Sequence, residues 1–206
     1  MAASRIRALT LAAGLVAWSG VVGPRIPPPW QMAVHASLAG VLVRRSGASL
    51  GLAPPALWRG LRLGLPVAAL VSATVAASTA LPLVRAEMAD RERPAQAAQW
   101  LLVRIPIGTV WSEEAAFRAA LGTAAGAAFG PRWGRFLQAA AFGLSHIADA
   151  RRVDEPIVGT VLATGIAGWA FGWLHERSGS LAAPMLAHLA LNEAGAVGAL
   201  AVQRRG

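Results

Sequence analysis

About seven apolar runs divide this chain, most of them closed by arginine or proline, and that repetition constrains its fold more than any other feature. A helix needs about 20 mostly apolar residues to cross the hydrocarbon core of a bilayer. The runs cover residues 8–23, 30–43, 63–84, 99–125, 136–148, 157–175 and 181–202. No ten-residue alternation suited to a membrane barrel is present. The expectation is an all-α, polytopic transmembrane helical bundle of about seven spans, with little soluble mass.

Composition points the same way. Of the 206 residues, 55% are hydrophobic and 14% charged, against about 25% charged in a soluble domain. Cysteine is absent, which excludes a disulfide framework, a thiol nucleophile and a thiolate metal site. The formal net charge is +9, and every basic residue is arginine. A nucleic-acid-binding protein would gather such charge on one stripe. Here pairs such as Arg44/Arg45, Arg151/Arg152 and Arg204/Arg205 sit where helices would leave the bilayer, so no nucleic-acid partner is expected. The bilayer itself is the expected partner.

Arg5 and Arg7 precede the first run. It reads as a retained anchor, because no small-x-small cleavage site leads into a soluble domain. The same pair favours a cytoplasmic N-terminus. Alternation then places the polar 44–62 loop, with Pro54-Pro55, on that side too. Residues 85–98 form an interfacial loop or short surface helix. Gly122, Gly126 and Gly130 form one row at four-residue spacing and Gly168 and Gly172 another, as suits close helix packing in lipid.

The fourth run carries Glu113, Glu114 and Arg118. A charged residue at a helix centre costs about 2.5–3.5 kcal/mol on the insertion scale, so three cost roughly 8–10 kcal/mol before pairing. They must face protein or a water-filled cavity. Glu114 and Arg118 are i and i+4 and can pair. Glu113 lies about 100° around the helix, which leaves it a different job. The bland reading is a charge cluster that locks helix packing. Phe142 and His146 share a face of the fifth run; His188 and Asn192 share a face of the last. Each pair alone suits helix–helix hydrogen bonding. Together with the charged run they allow a Glu, two His and an Asn to converge in a bundle core. His35 reads as structural; His175, Glu176 and Arg177 read as a loop at a helix end, and Glu193 has no assigned role.

Such a set can hydrolyse a peptide bond in two ways. A Glu can act as general base with a His assisting, while a second His and an Asn stabilise the oxyanion. Alternatively, Glu113, His146 and His188 are a ligand set for catalytic zinc. There is no His-Glu-x-x-His, and the sequence leaves both schemes open.

Glu113-Glu114-x-x-x-Arg118, Phe142-x-x-x-His146 and His188-x-x-x-Asn192, in that order, resemble the intramembrane CAAX-protease and bacteriocin-processing family (CPBP, or Abi), which includes the Ras-converting enzymes. The stretch from Gly179 to His188 is also similar to the approach to the family's last motif. The resemblance implies a multi-pass membrane endopeptidase in a bacterial plasma membrane, acting on membrane-embedded or membrane-anchored peptides and proteins. Glu113 would activate water with His146, and His188 and Asn192 would stabilise the oxyanion. Glu114 and Arg118 would support the site and Phe142 would pack beside it. Residues 99–206 would form the catalytic helical core; residues 1–98 match no motif. Two other readings compete: a non-catalytic immunity or scaffold protein that keeps the protease fold, and an ion-coupled transporter. Transporter sites usually lie on Gly/Pro-broken helices paired between two halves, a pattern this sequence lacks.

Overall fold

The computed structural model describes residues 2–204, and they fold as helices joined by short connections. α1 (Ala2–Ala17) continues through wider turns at Trp18–Val22 and a tight turn at Gly23–Arg25. α2 (Pro28–Ser46) starts with Pro28 and Pro29 in its first turn, where their missing N–H groups cost nothing. It stops at Gly47, whose φ of 67° is the left-handed cap that glycine adopts without strain. The Arg7 guanidinium donates to the Arg45 carbonyl at 2.9 Å, so the start of α1 lies beside the end of α2.

α3 (Ala56–Ser78) begins earlier than the apolar run suggests and carries Arg59 and Arg62 on its first turns. Arginine ends an apolar run without ending a helix, because its stem packs while its head reaches polar partners. Arg59 Nε donates to the Ser178 carbonyl at 3.1 Å. The polar stretch after α3 is a short helix, α4 (Pro82–Asp90), which lays Met88 against Ala199 and Val202.

The fourth run is unusual. After the single turn of α5 (Ala97–Gln99), residues Trp100–Trp111 and Glu114–Leu121 wind in wide π-type turns, a geometry frequent at functional sites. All eight residues of Glu114–Leu121 are buried. This segment is the axis of the molecule, contacted by α1, α2, α6 and α8.

α6 (Gly122–Ser145) is broken at Gly130 (φ 80°, ψ 167°), just before Pro131. Gly130 is therefore the corner between two runs and not the third member of a packing row. At Gly134 an added Cβ would meet Gly126 N at 2.6 Å, so the chain doubles back on itself tightly. α7 (Ile147–Arg152), α8 (Ile157–Ser178) and α9 (Ala182–Gln203) complete the bundle. α3 packs along α9 and α6 along α8.

Among the described residues, four helical rods are long and apolar enough to cross a membrane on their own: Ala2–Arg25, Ala56–Ser78, Ile157–Ser178 and Ala182–Gln203. The runs at 30–43, 99–125 and 136–148 are helical too but fall short of that length or apolarity. The most polar of them, 99–125, buries Glu114 and Arg118 in the protein interior and turns Glu113 to a cavity, while Arg104 is exposed. This is an all-α integral membrane protein.

Candidate active site

The buried Glu114–Leu121 segment brings its charges into the middle of the bundle, where α6, α8 and α9 supply partners. Glu114 is fully buried and Arg118 is 1% exposed. They pair along their own helix, Arg118 Nε to Glu114 Oε2 at 3.2 Å, as their spacing predicts. The other Glu114 oxygen, Oε1, accepts from His188 Nδ1 of α9 at 2.8 Å. That contact turns His188 Nε2 toward Glu113, whose Oε2 lies 3.8 Å away. Arg118, Glu114, His188 and Glu113 thus form one continuous polar chain across the core.

Aromatic rings wall this chain. The Arg118 guanidinium lies 3.8 Å from the Phe142 centroid and 5.1 Å from that of Phe171, contacts that partly replace the water a buried cation loses. Phe171 stacks on His188 at 5.0 Å and 24°. His146 and His188 both present ring edges to Phe142, at 4.7 and 6.2 Å. His146 ends α6 and donates from Nδ1 to the Phe142 carbonyl at 2.8 Å, which leaves its Nε2 available. Asn192 is one turn beyond His188, but its amide donates to the His188 carbonyl at 3.1 Å. It needs a side-chain rotation to serve as a donor elsewhere.

Glu113 differs from its neighbour. Its side chain is 28% exposed, and it lines a cavity of about 210 Å³ with His35, Ser112, Asp149, Leu15 and Trp18. Its Oε2 is buried with no hydrogen-bond partner. Glu114 is held by two partners, whereas the Glu113 side chain lines the cavity.

Three residues were missed or undervalued in the sequence. His35 joins Glu113 in the cavity wall, its ring edge-on to Trp18 at 6.0 Å. Asp149 follows the His146 motif and faces the same cavity. Phe171 lay between two glycines read as packing alone. Those glycines do more: a Cβ at Gly168 would stand 2.8 Å from Phe142 Cδ1, and one at Gly172 would stand 2.7 Å from Gln138 Oε1. The α8 glycine row is where the site's aromatic ring is seated.

The side chains, as arranged, do not fit a three-ligand zinc centre. Among the described residues, no three His, Asp or Glu groups are placed to hold one metal ion. Glu113 and His188 approach each other, but His146 reaches them through Phe142.

No curated protein and no solved structure matches the chain. A family model does: residues 95–194 match the type II CAAX prenyl endopeptidase, Rce1-like. The matched segment runs from the turn before α5 to just past Asn192 and contains every motif residue described above. Over this segment, just under half of the chain, the sequence is similar to the CPBP (CAAX-protease) family.

Proposed function

We propose that the protein is an intramembrane endopeptidase that hydrolyses a peptide bond of a membrane-anchored substrate, with Glu113 as general base. The observation that supports this most is the polar chain from Arg118 through Glu114 and His188 to Glu113, ending at an unpartnered carboxylate oxygen beside a cavity.

Glu113 Oε2 and His188 Nε2 stand 3.8 Å apart, and in the reaction a water enters between them to within about 2.8 Å of both, an ordinary hydrogen-bond distance. Glu113 takes a proton from that water, and the hydroxide adds to the scissile carbonyl. Asn192 donates to the oxyanion once its amide turns away from the helix backbone, and His188, whose Nδ1–H is held by Glu114, donates from Nε2 in its doubly protonated form. Collapse breaks the C–N bond, and the proton held by Glu113 goes to the leaving amine. One water is consumed; one carboxylate and one amine form. Glu114 fixes the His188 ring, and Arg118 balances the Glu114 charge. Residues 99–206 carry this chemistry. Residues 1–98 shape access, since Leu15, Trp18 and His35 face the same cavity.

The test is cleavage of membrane-anchored peptides by the protein reconstituted in vesicles, with and without a chelator. Cleavage that persists in chelator fits the glutamate scheme. Loss in chelator with recovery on adding zinc overturns it.

A further inference from the structure

A second polar cavity, of about 340 Å³, lies at the opposite end of the bundle from Glu113. The first opens near the start of α2, at Gln31, and near Asp149 and Arg152. The second is bounded by Ser49 after α2, by the middle of α6 and by the end of α8, with Arg118, Arg135, Gln138 and His175 in its wall. Arg118 therefore has two aspects: its Nε meets Glu114, while the rest of the guanidinium borders a different space.

The donors around this space are unspent. Arg118 Nη1 and Nη2, Arg135 Nε and Gln138 Nε2 are all buried without an acceptor. Arg118 and Gln138 are each 1% exposed. Buried N–H groups, charged ones above all, are costly to leave unpaired. Among the lining residues one carboxylate is present, Glu176, and Arg135 Nη1 already holds it at 2.7 Å. The site offers positive charge and several N–H groups from two separate rods. A carboxylate presents two oxygens in one plane; a phosphate presents three or more around a tetrahedron and suits donors that converge from different sides.

The surroundings select a source for that phosphate. The start of α1 brings Arg5 and Arg7 to this end of the bundle, and the α2–α3 region brings Arg44, Arg45, Arg59 and Arg62. Arg132 follows the break in α6, and Arg177 closes α8. Glu176 is the acid that accompanies them. The opposite end mixes both signs, with Glu87, Asp90, Glu92, Asp149, Asp154 and Glu155 near its arginines. Arginine excess marks the cytoplasmic face, where anionic headgroups concentrate and where basic pockets between helices take them. Arg135 also lies 4.6 Å from the Trp169 ring, and that indole is exposed on the surface of α8.

We propose that this cavity binds the phosphate headgroup of an anionic membrane lipid, held by Arg118, Arg135 and Gln138. The test is titration of the full-length protein in neutral detergent with phosphatidic acid, phosphatidylcholine or inorganic phosphate, read by native mass spectrometry and by the shift in unfolding temperature. Wild type takes up phosphatidic acid saturably and at least tenfold more tightly than phosphatidylcholine. Gln138→Leu and Arg135→Met each weaken that binding at least tenfold. Glu176→Gln, which frees Arg135 from its carboxylate, tightens it several-fold. Equal affinity for phosphatidic acid in wild type and Gln138→Leu overturns the proposal, as does absence of binding. Should Gln138→Leu fail to fold, Glu176→Gln decides, since unchanged or weaker binding there contradicts the site. Inorganic phosphate that binds as tightly as phosphatidic acid overturns the lipid source and assigns the cavity to free phosphate.

Discussion

His188 Nδ1 lies 2.8 Å from Glu114 Oε1, joining two helices 74 residues apart in the chain at a contact that excludes solvent. Glu114 also holds Arg118, so one carboxylate ties the His188 imidazole to a buried cation. Removing it strands both. Breaking a buried pair by deleting one partner typically costs about 3–5 kcal/mol. Glu114→Ala should lose roughly that much stability by reversible unfolding in detergent, and the double variant with Arg118→Met should regain most of it. A double variant no more stable than Glu114→Ala would show that the pair does not act as a unit.

Glu113 should behave differently. It lines a cavity and has His188 at 3.8 Å as its polar neighbour, outside hydrogen-bond distance, so Glu113→Ala should change unfolding stability by less than about 1 kcal/mol. A large destabilisation would make Glu113 a structural residue.

The two proposed oxyanion donors, His188 and Asn192, should separate kinetically. Loss of one such donor lowers kcat by about 10²–10³. His188→Ala should exceed that range, because it also removes a contact to the water. Asn192→Ala should fall within it and leave KM nearly unchanged. An Asn192→Ala enzyme with full kcat would show that the amide stays on the His188 carbonyl throughout the reaction.

Gly168 tests the aromatic seat. A Cβ there would press on Phe142 from 2.8 Å, and overpacking of this kind costs about 1–3 kcal/mol. Gly168→Ala should lower both stability and cleavage, by displacing the ring that His146, His188 and Arg118 share. Gly126→Ala, where nothing lies within 4 Å of the added atom, is the control and should be nearly silent.

Much of this architecture was legible in the sequence because lipid makes strong demands. A charged triplet inside an apolar run had to find protein partners, and Glu114–Arg118 found each other at the spacing that helical geometry dictates. The His188 and Asn192 face was legible for the same reason, though not that Asn192 would bond to its own helix. The wide turns through Trp100–Leu121 were not readable, since nothing in side-chain periodicity distinguishes them from an α-helix over so short a span. Gly130 looked like a member of a packing row, yet Pro131 behind it made it a corner. His35 was undervalued because its relation to Glu113 depends on how α2 packs against the central segment, a tertiary fact with no local signal.

The most direct test of the account compares wild type and Glu113→Gln, reconstituted in vesicles with a membrane-anchored peptide, by mass spectrometry of the products. Glutamine keeps the shape of the side chain and removes the base, so the account predicts cleavage by wild type and a loss of at least about 10²-fold in the variant. Equal cleavage by the two proteins would contradict the assignment of Glu113 as the group that activates water.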